Sequence, residues 1–151
     1  MKAIQSLVIA STLLASTSVL AHTFNEANKA IKYRQAAFTM IAGNVSEMGE
    51  MIKGKTEWNE ATFSKRAEQL SQLSLMPLDA FAVEGSDKGK TNALPEVWKN
   101  FSDFEANFVQ FQKDTANLAS VSETGDKAAI RKAFGKTVKN CKACHTDYKA
   151  K

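Results

Sequence analysis

Residues 25–52 read NEANKAIKYRQAAFTMIAGNVSEMGEMI. Ala27, Ile31, Arg34, Phe38, Ile41, Val45, Met48 and Ile52 recur there in alternating steps of four and three. Residues spaced this way share one side of an α-helix, so the stretch predicts a single long amphipathic helix. A row that alternates apolar and polar every second residue, as a strand requires, is absent. One arginine is set into the row, and Gly54 follows as a stop signal.

The same spacing returns three times. Phe63, Ala67, Leu70 and Leu73 predict a second helix over about Trp58–Leu75, ended by Pro77. Phe104, Phe108, Phe111, Thr115, Leu118 and Ser122 predict a third over Ser102–Ser122, broken by Gly125. Asp126 is placed to cap a fourth that runs to about Tyr148. The inward face of that helix carries Ile130, Phe134, Val138, Cys141, His145 and Tyr148. Links are short between the first and second helices and between the third and fourth. A long connection, Met76–Asn100, joins the second to the third and holds Gly85, Gly89 and Pro95. A connection of that length in a compact domain tends to wrap something or serve the function. The expected fold is all-α, an antiparallel up-down-up-down four-helix bundle.

The chain has 151 residues, 44% hydrophobic and 24% charged, which suits one domain with a real core. Its formal charge of +4, with no Lys/Arg run and no basic stripe with interleaved aromatics, argues against nucleic-acid binding. Residues 1–21 differ from the rest. Lys2 precedes an apolar run from Leu7 to Leu20, and Val19 and Ala21 are small residues where a signal peptidase cuts. This is the pattern of a secretory signal, removed on export to the periplasm, with residues 22–151 as the exported domain. No later stretch is apolar enough to span a bilayer, so no membrane association is expected after cleavage.

Both cysteines of this exported chain lie in Cys141-Lys142-Ala143-Cys144-His145. C-x-x-C-H is the attachment signature of c-type haem. Each thiol adds across one vinyl group of the porphyrin, and the adjacent imidazole reaches the iron from the same side. On a helix the three side chains span one turn. A redox dithiol would want its cysteines at a helix N-terminus, where the dipole favours thiolate. A zinc site needs a fourth ligand, and the only other histidine is His22. A plain disulfide is the remaining alternative. The reading taken is one covalent haem c per chain, enclosed by the bundle, with iron ligated by His145.

Arg34 supports it. An arginine in a core-facing row needs a partner, and no acidic residue in the other rows offers one. A haem propionate fits the guanidinium fork. The bland alternative puts Arg34 at the bundle edge with its head in water. Met40, Met51 and Trp58 lie off the main rows and are candidates for a contact between two copies. Lys136, Lys139, Lys142 and Lys149 read as a solvated helix face, with steering of an acidic redox partner as the functional alternative.

The chain resembles the cytochrome c-prime family over essentially all of residues 22–151. The resemblance rests on Lys32-Tyr33-Arg34-Gln35-Ala36-Ala37-Phe38, on Pro95-Glu96-Val97-Trp98, and on Cys141-Lys142-Ala143-Cys144-His145-Thr146-Asp147-Tyr148. It implies a five-coordinate haem that binds NO and CO, often in a homodimer, in a protein that carries electrons and is not an enzyme. It further implies that Arg34 and Gln35 lie beside the propionates, that Thr91 is a haem contact, and that Phe38 closes the distal face over the iron. Two departures stand out. The distal residue is often leucine in the family, and the position of Lys149 is usually arginine. The alternative within the same bundle is a six-coordinate low-spin electron carrier. Relatives of that kind place a methionine where this chain has Phe38.

Overall fold

The computed structural model describes residues 26–151. The leader pattern and His22 lie outside the described residues. Four long helices form where the periodicity places them: α1 (Ala27–Ile52), α2 (Glu60–Ser74), α4 (Phe101–Ser122) and α5 (Lys127–Tyr148). The long connection is not bare coil. It holds a 3₁₀ turn at Leu78–Phe81 and one helical turn, α3 (Glu96–Lys99).

Local chemistry sets the ends. The Asn59 side chain accepts from the Thr62 backbone N–H at 2.8 Å and so starts α2. Asp126 accepts from the N–H groups of Ala128 (2.9 Å) and Ala129 (3.1 Å) and starts α5. Gly54 and Gly125, just past the ends of α1 and α4, have φ of 69° and 72°, a region that L side chains rarely adopt.

Each long helix runs antiparallel to its neighbours. Ser64, at the start of α2, donates to the Ser122 carbonyl at the end of α4. Ser74, at the end of α2, meets Thr115 in the middle of α4. Arg131, in the first turns of α5, donates to the Ile52 carbonyl at the end of α1 at 2.7 Å. The bundle is therefore up-down-up-down. All six residues of the α4 row are buried, as are Phe63, Ala67 and Leu70 of α2.

Two expectations need correction. Met51 is only 4% exposed, so it belongs to the core and cannot serve a contact between copies. Trp58 stacks on Phe63 at 5.0 Å within the chain, which leaves Met40, 47% exposed, as the freely accessible member of that trio. The second change concerns α5. Ile130 and Phe134 are buried, but Val138 and His145 on the same row are exposed. The inward row of α5 is thus fully buried only in its first half; beyond it Val138 and His145 are open, and Cys141 and Tyr148 are half-buried against the core.

Candidate haem-attachment site

α1 and α5 meet near Gly49 and Phe134, where a methyl group added at Gly49 would lie 3.6 Å from the Phe134 ring. Toward the other end of the bundle it is the long connection that covers α1. The residues that the sequence marks as functional gather at this end in two groups.

The first group sits on the last two turns of α5. Cys141 and Cys144 are half-buried, pack against the core and are not bonded to each other. Cys141 and His145 line an open concavity of about 540 Å³, together with Val138, Lys142, Thr146 and Lys149. Cys144 faces round the helix into the groove between α4 and α5, beside Asp114 and Asn140. Burial pushes the Cys144 thiol up to about 11, with the neighbouring Cys141 and Asp147 adding to the effect. Burial also raises Cys141, against a backbone hydrogen bond that lowers it. Both thiols are therefore protonated at neutral pH, the reverse of what a redox dithiol needs. His145 is shifted down, first by burial and then by Lys149, so its imidazole is neutral and keeps a lone pair for a metal. Among the described residues no cluster of three or more His, Cys, Asp or Glu could hold a metal ion.

The second group joins α1 to the connection. Arg34 is 2% exposed, so its head is not in water. Its Nη1 donates to the Ala80 carbonyl (3.2 Å) and Ser86 Oγ (3.1 Å). Its Nη2 donates to the Ser86 carbonyl (2.7 Å) and Thr91 Oγ1 (3.1 Å). The guanidinium also lies 4.3 Å from the Phe81 ring centre and 5.3 Å from that of Trp98. Burial lowers its pKa to about 10, with Asp87 opposing the shift, and it stays charged at neutral pH. Gln35 Nε2 donates to the Lys90 carbonyl at 2.9 Å. Arg34 and Gln35 thus meet Lys90 and Thr91, more than fifty residues on. Ser86, fully buried, is the partner that the sequence did not reveal, because an aperiodic connection gives no signal for which serine turns inward.

The two groups are tied by backbone. Ala93 bridges Lys149 antiparallel; the Leu94 N–H donates to the Tyr148 carbonyl (2.9 Å) and that of Ala150 to Asn92 (2.8 Å). Phe38, one turn after Arg34, is half-buried with its ring centre 6.3 Å from those of Phe81 and Phe108, both in edge-on contact. That cluster continues through Phe104 to Tyr148, whose rings are 5.2 Å apart. Asp114, 4% exposed, was also missed from sequence. It accepts from Gln110 (2.8 Å) and Asn140 (3.5 Å), pairs with Lys136 (2.9 Å), and so braces α4 against α5.

The donor set fits haem c. Cys141 and a neutral His145 imidazole line one open concave face, and the second thiol, Cys144, stands one turn of the same helix away on its groove side. Fold and site together define a c-type haem protein built on a four-helix bundle. The model of the Cytochrome C' family matches residues 29–149. Cytochrome c' of Rubrivivax gelatinosus is 37% identical over 129 residues, 85% of this chain and 99% of that one. The structure of cytochrome c prime from Shewanella frigidimarina is 44% identical with a TM-score of 0.82, covering 85% of this chain and 99% of that chain. A nitrosyl complex of a variant of cytochrome c prime from Alcaligenes xylosoxidans is 34% identical with a TM-score of 0.78, covering 85% and 99%. This chain belongs to the cytochrome c′ family and carries covalently attached haem c.

Proposed function

We propose that the protein is an exported, periplasmic haem protein with five-coordinate iron, which binds NO and CO opposite His145 and passes single electrons without acting as an enzyme. The observation that carries this reading is Phe38. It stands where low-spin relatives would need a methionine, and its ring is held edge-on by Phe81 and Phe108. A phenyl ring has no lone pair to give to iron. The methionines of α1 do not replace it. Met40 is about 200° round the helix and 47% exposed, and fully buried Met48 lies about 15 Å further along. The Alcaligenes xylosoxidans relative solved as a nitrosyl complex supports NO as a ligand.

When bound, the haem would supply a metal that can take a diatomic ligand and a one-electron couple. The chain's own residues do the rest. Cys141 and Cys144 would fix the group to α5, and His145 would give its lone pair to the metal. Phe38 keeps the opposite side apolar and narrow and offers no donor to a polarised ligand, which disfavours dioxygen. Gln35, Thr91 and Arg34 would hold the propionates, while both Nη atoms of Arg34 hold the connection. Two copies associate through the α1–α2 side that exposes Met40. Residues 1–21 direct export. Optical spectra of the purified protein, oxidised, reduced and with CO, test this. High-spin reduced iron that turns low-spin with CO is expected. A six-coordinate low-spin reduced spectrum indifferent to CO overturns it.

A further inference from the structure

The net charge hides a strong segregation. Residues 127–151 hold eight Lys or Arg against one acidic side chain, a balance of +7. Residues 26–126 hold eleven against fifteen, a balance of −4. Within the positive segment few charges are spent on the chain itself. Lys136 pairs with Asp114, Arg131 is bound to the Ile52 carbonyl, and Lys127 lies over the Trp58 ring. Lys132, Lys139, Lys142, Lys149 and Lys151 are exposed and make no ion pair among the described residues.

Spacing makes this arrangement unfavourable for the helix. Lys132 and Lys136 are four apart, and Lys136, Lys139 and Lys142 are three apart, so each faces a like charge one turn away. No acidic residue stands three or four positions from Lys132, Lys139 or Lys142 to relieve them. A surface shaped only for solubility intersperses the two signs, as the rest of this chain does. The charges also surround the attachment site. Lys142, Lys149 and Lys151 rim the concavity that holds Cys141 and His145, and Lys139 borders the groove on the Cys144 side. The tail lysines are fixed there by the backbone pairing of Tyr148–Ala150 with Asn92–Leu94.

We propose that this face of α5 is the docking surface for an acidic protein that exchanges electrons with the haem. This rests on the electron-passing part of the function proposed above. Electrostatic steering of this kind acts on the encounter rate more than on affinity. A membrane is the less fitting occupant, because Val138 is the one large apolar side chain exposed among the lysines, beside Gly135, Ala143 and Thr146, and one valine offers little to insert into lipid.

The test is stopped-flow oxidation of the reduced holoprotein, one electron passing to hexacyanoferrate(III) to leave oxidised protein and hexacyanoferrate(II). The rate should fall as salt rises, and that with the cationic tris(phenanthroline)cobalt(III) should rise. The Lys139→Glu/Lys142→Glu variant should slow the hexacyanoferrate reaction about tenfold at low salt. Lys53→Glu/Lys65→Glu, with the same change in net charge elsewhere, should slow it less than about twofold. In NMR titration a hexaglutamate peptide should shift resonances of residues 132–146. Equal slowing by the two variants, or peptide shifts spread over the bundle, overturns the proposal. So does binding to phosphatidylglycerol vesicles that the Lys139/Lys142 variant loses, since the occupant is then a membrane. The spectra that decide coordination are independent of these rates, so the two readings fail separately.

Discussion

Replacing Arg34 with leucine is the most informative perturbation, because the structure fixes what is lost. Both Nη atoms vanish, and with them four hydrogen bonds to the connection. Thr91 Oγ1 still accepts from the Ala93 N–H and Ser86 Oγ still reaches the Phe81 carbonyl, so these two are not stranded. The Ala80 and Ser86 carbonyls lose the donor that each has in Arg34. An unsatisfied buried acceptor costs about 1–3 kcal/mol, so the two together cost about 4. The stacked contacts with Phe81 and Trp98 add about 1. Against this stands relief from burying a charge. A pKa lowered to about 10 corresponds to a penalty of about 3 kcal/mol, which leucine escapes. The balance is a loss of about 2 kcal/mol, concentrated in residues 80–94. Denaturant unfolding of the holoprotein and amide exchange at Ser86, Thr91 and Leu94 measure it. Arg34→Lys should fall between, since one ammonium cannot span four acceptors. If Arg34 also borders a propionate, losing its positive charge lowers the reduction potential while attachment stays intact. Stability within about 0.5 kcal/mol of the parent and unchanged exchange at these amides would refute the reasoning.

The other expectations are simpler. Denatured protein should have the mass of the polypeptide plus one haem, and Cys141→Ala and Cys144→Ala should each lower the yield of loaded protein; a mass equal to the chain less two hydrogens would mean a disulfide. Phe38→Ala should accelerate CO association about tenfold in flash photolysis, equivalent to about 1.4 kcal/mol of barrier; an unchanged rate would place the ring away from the ligand's path. Asp126→Ala should cost about 1 kcal/mol in thermal unfolding, because two N–H groups at the start of α5 lose their acceptor.

How much was legible follows from where the physics is local. The rows of α1, α2 and α4 could be read because a helix repeats every 3.6 residues and these faces meet other protein. The caps at Asp126 and Gly125 depend on near neighbours alone. The attachment motif is five consecutive residues. The connection is different. Its 3₁₀ turn, its α3 turn and the inward serine at position 86 are chosen by contacts with α1 some fifty residues away, and no period announces them. Arg34 was expected to leave water beside a haem propionate; it is buried, but the partners its Nη atoms have are groups of the connection. That both its Nη atoms bind the connection could not be read, since the acceptors are mostly backbone carbonyls, which every residue has. Met51 was misplaced because the buried arc of α1 is wider than a seam spaced by fours and threes.

The row of α5 shows what a sequence pattern does and does not encode. Val138, Cys141 and His145 continue the spacing of Ile130 and Phe134, yet Val138 and His145 are exposed and Cys141 is only half-buried. The pattern marks a face that must leave water without saying what covers it. His145, the proposed iron ligand, stands three residues from a helix end, where helices ordinarily fray. Here the Tyr148 ring packs on Phe104, and Tyr148–Ala150 pair with Asn92–Leu94. That connection is in turn held to α1 by Arg34 and Gln35. The restraint on His145 therefore runs from the first helix through a buried cation to the last turn of the chain. An aperiodic connection and a late motif, each unpromising alone, make one rigid site because each fixes the other.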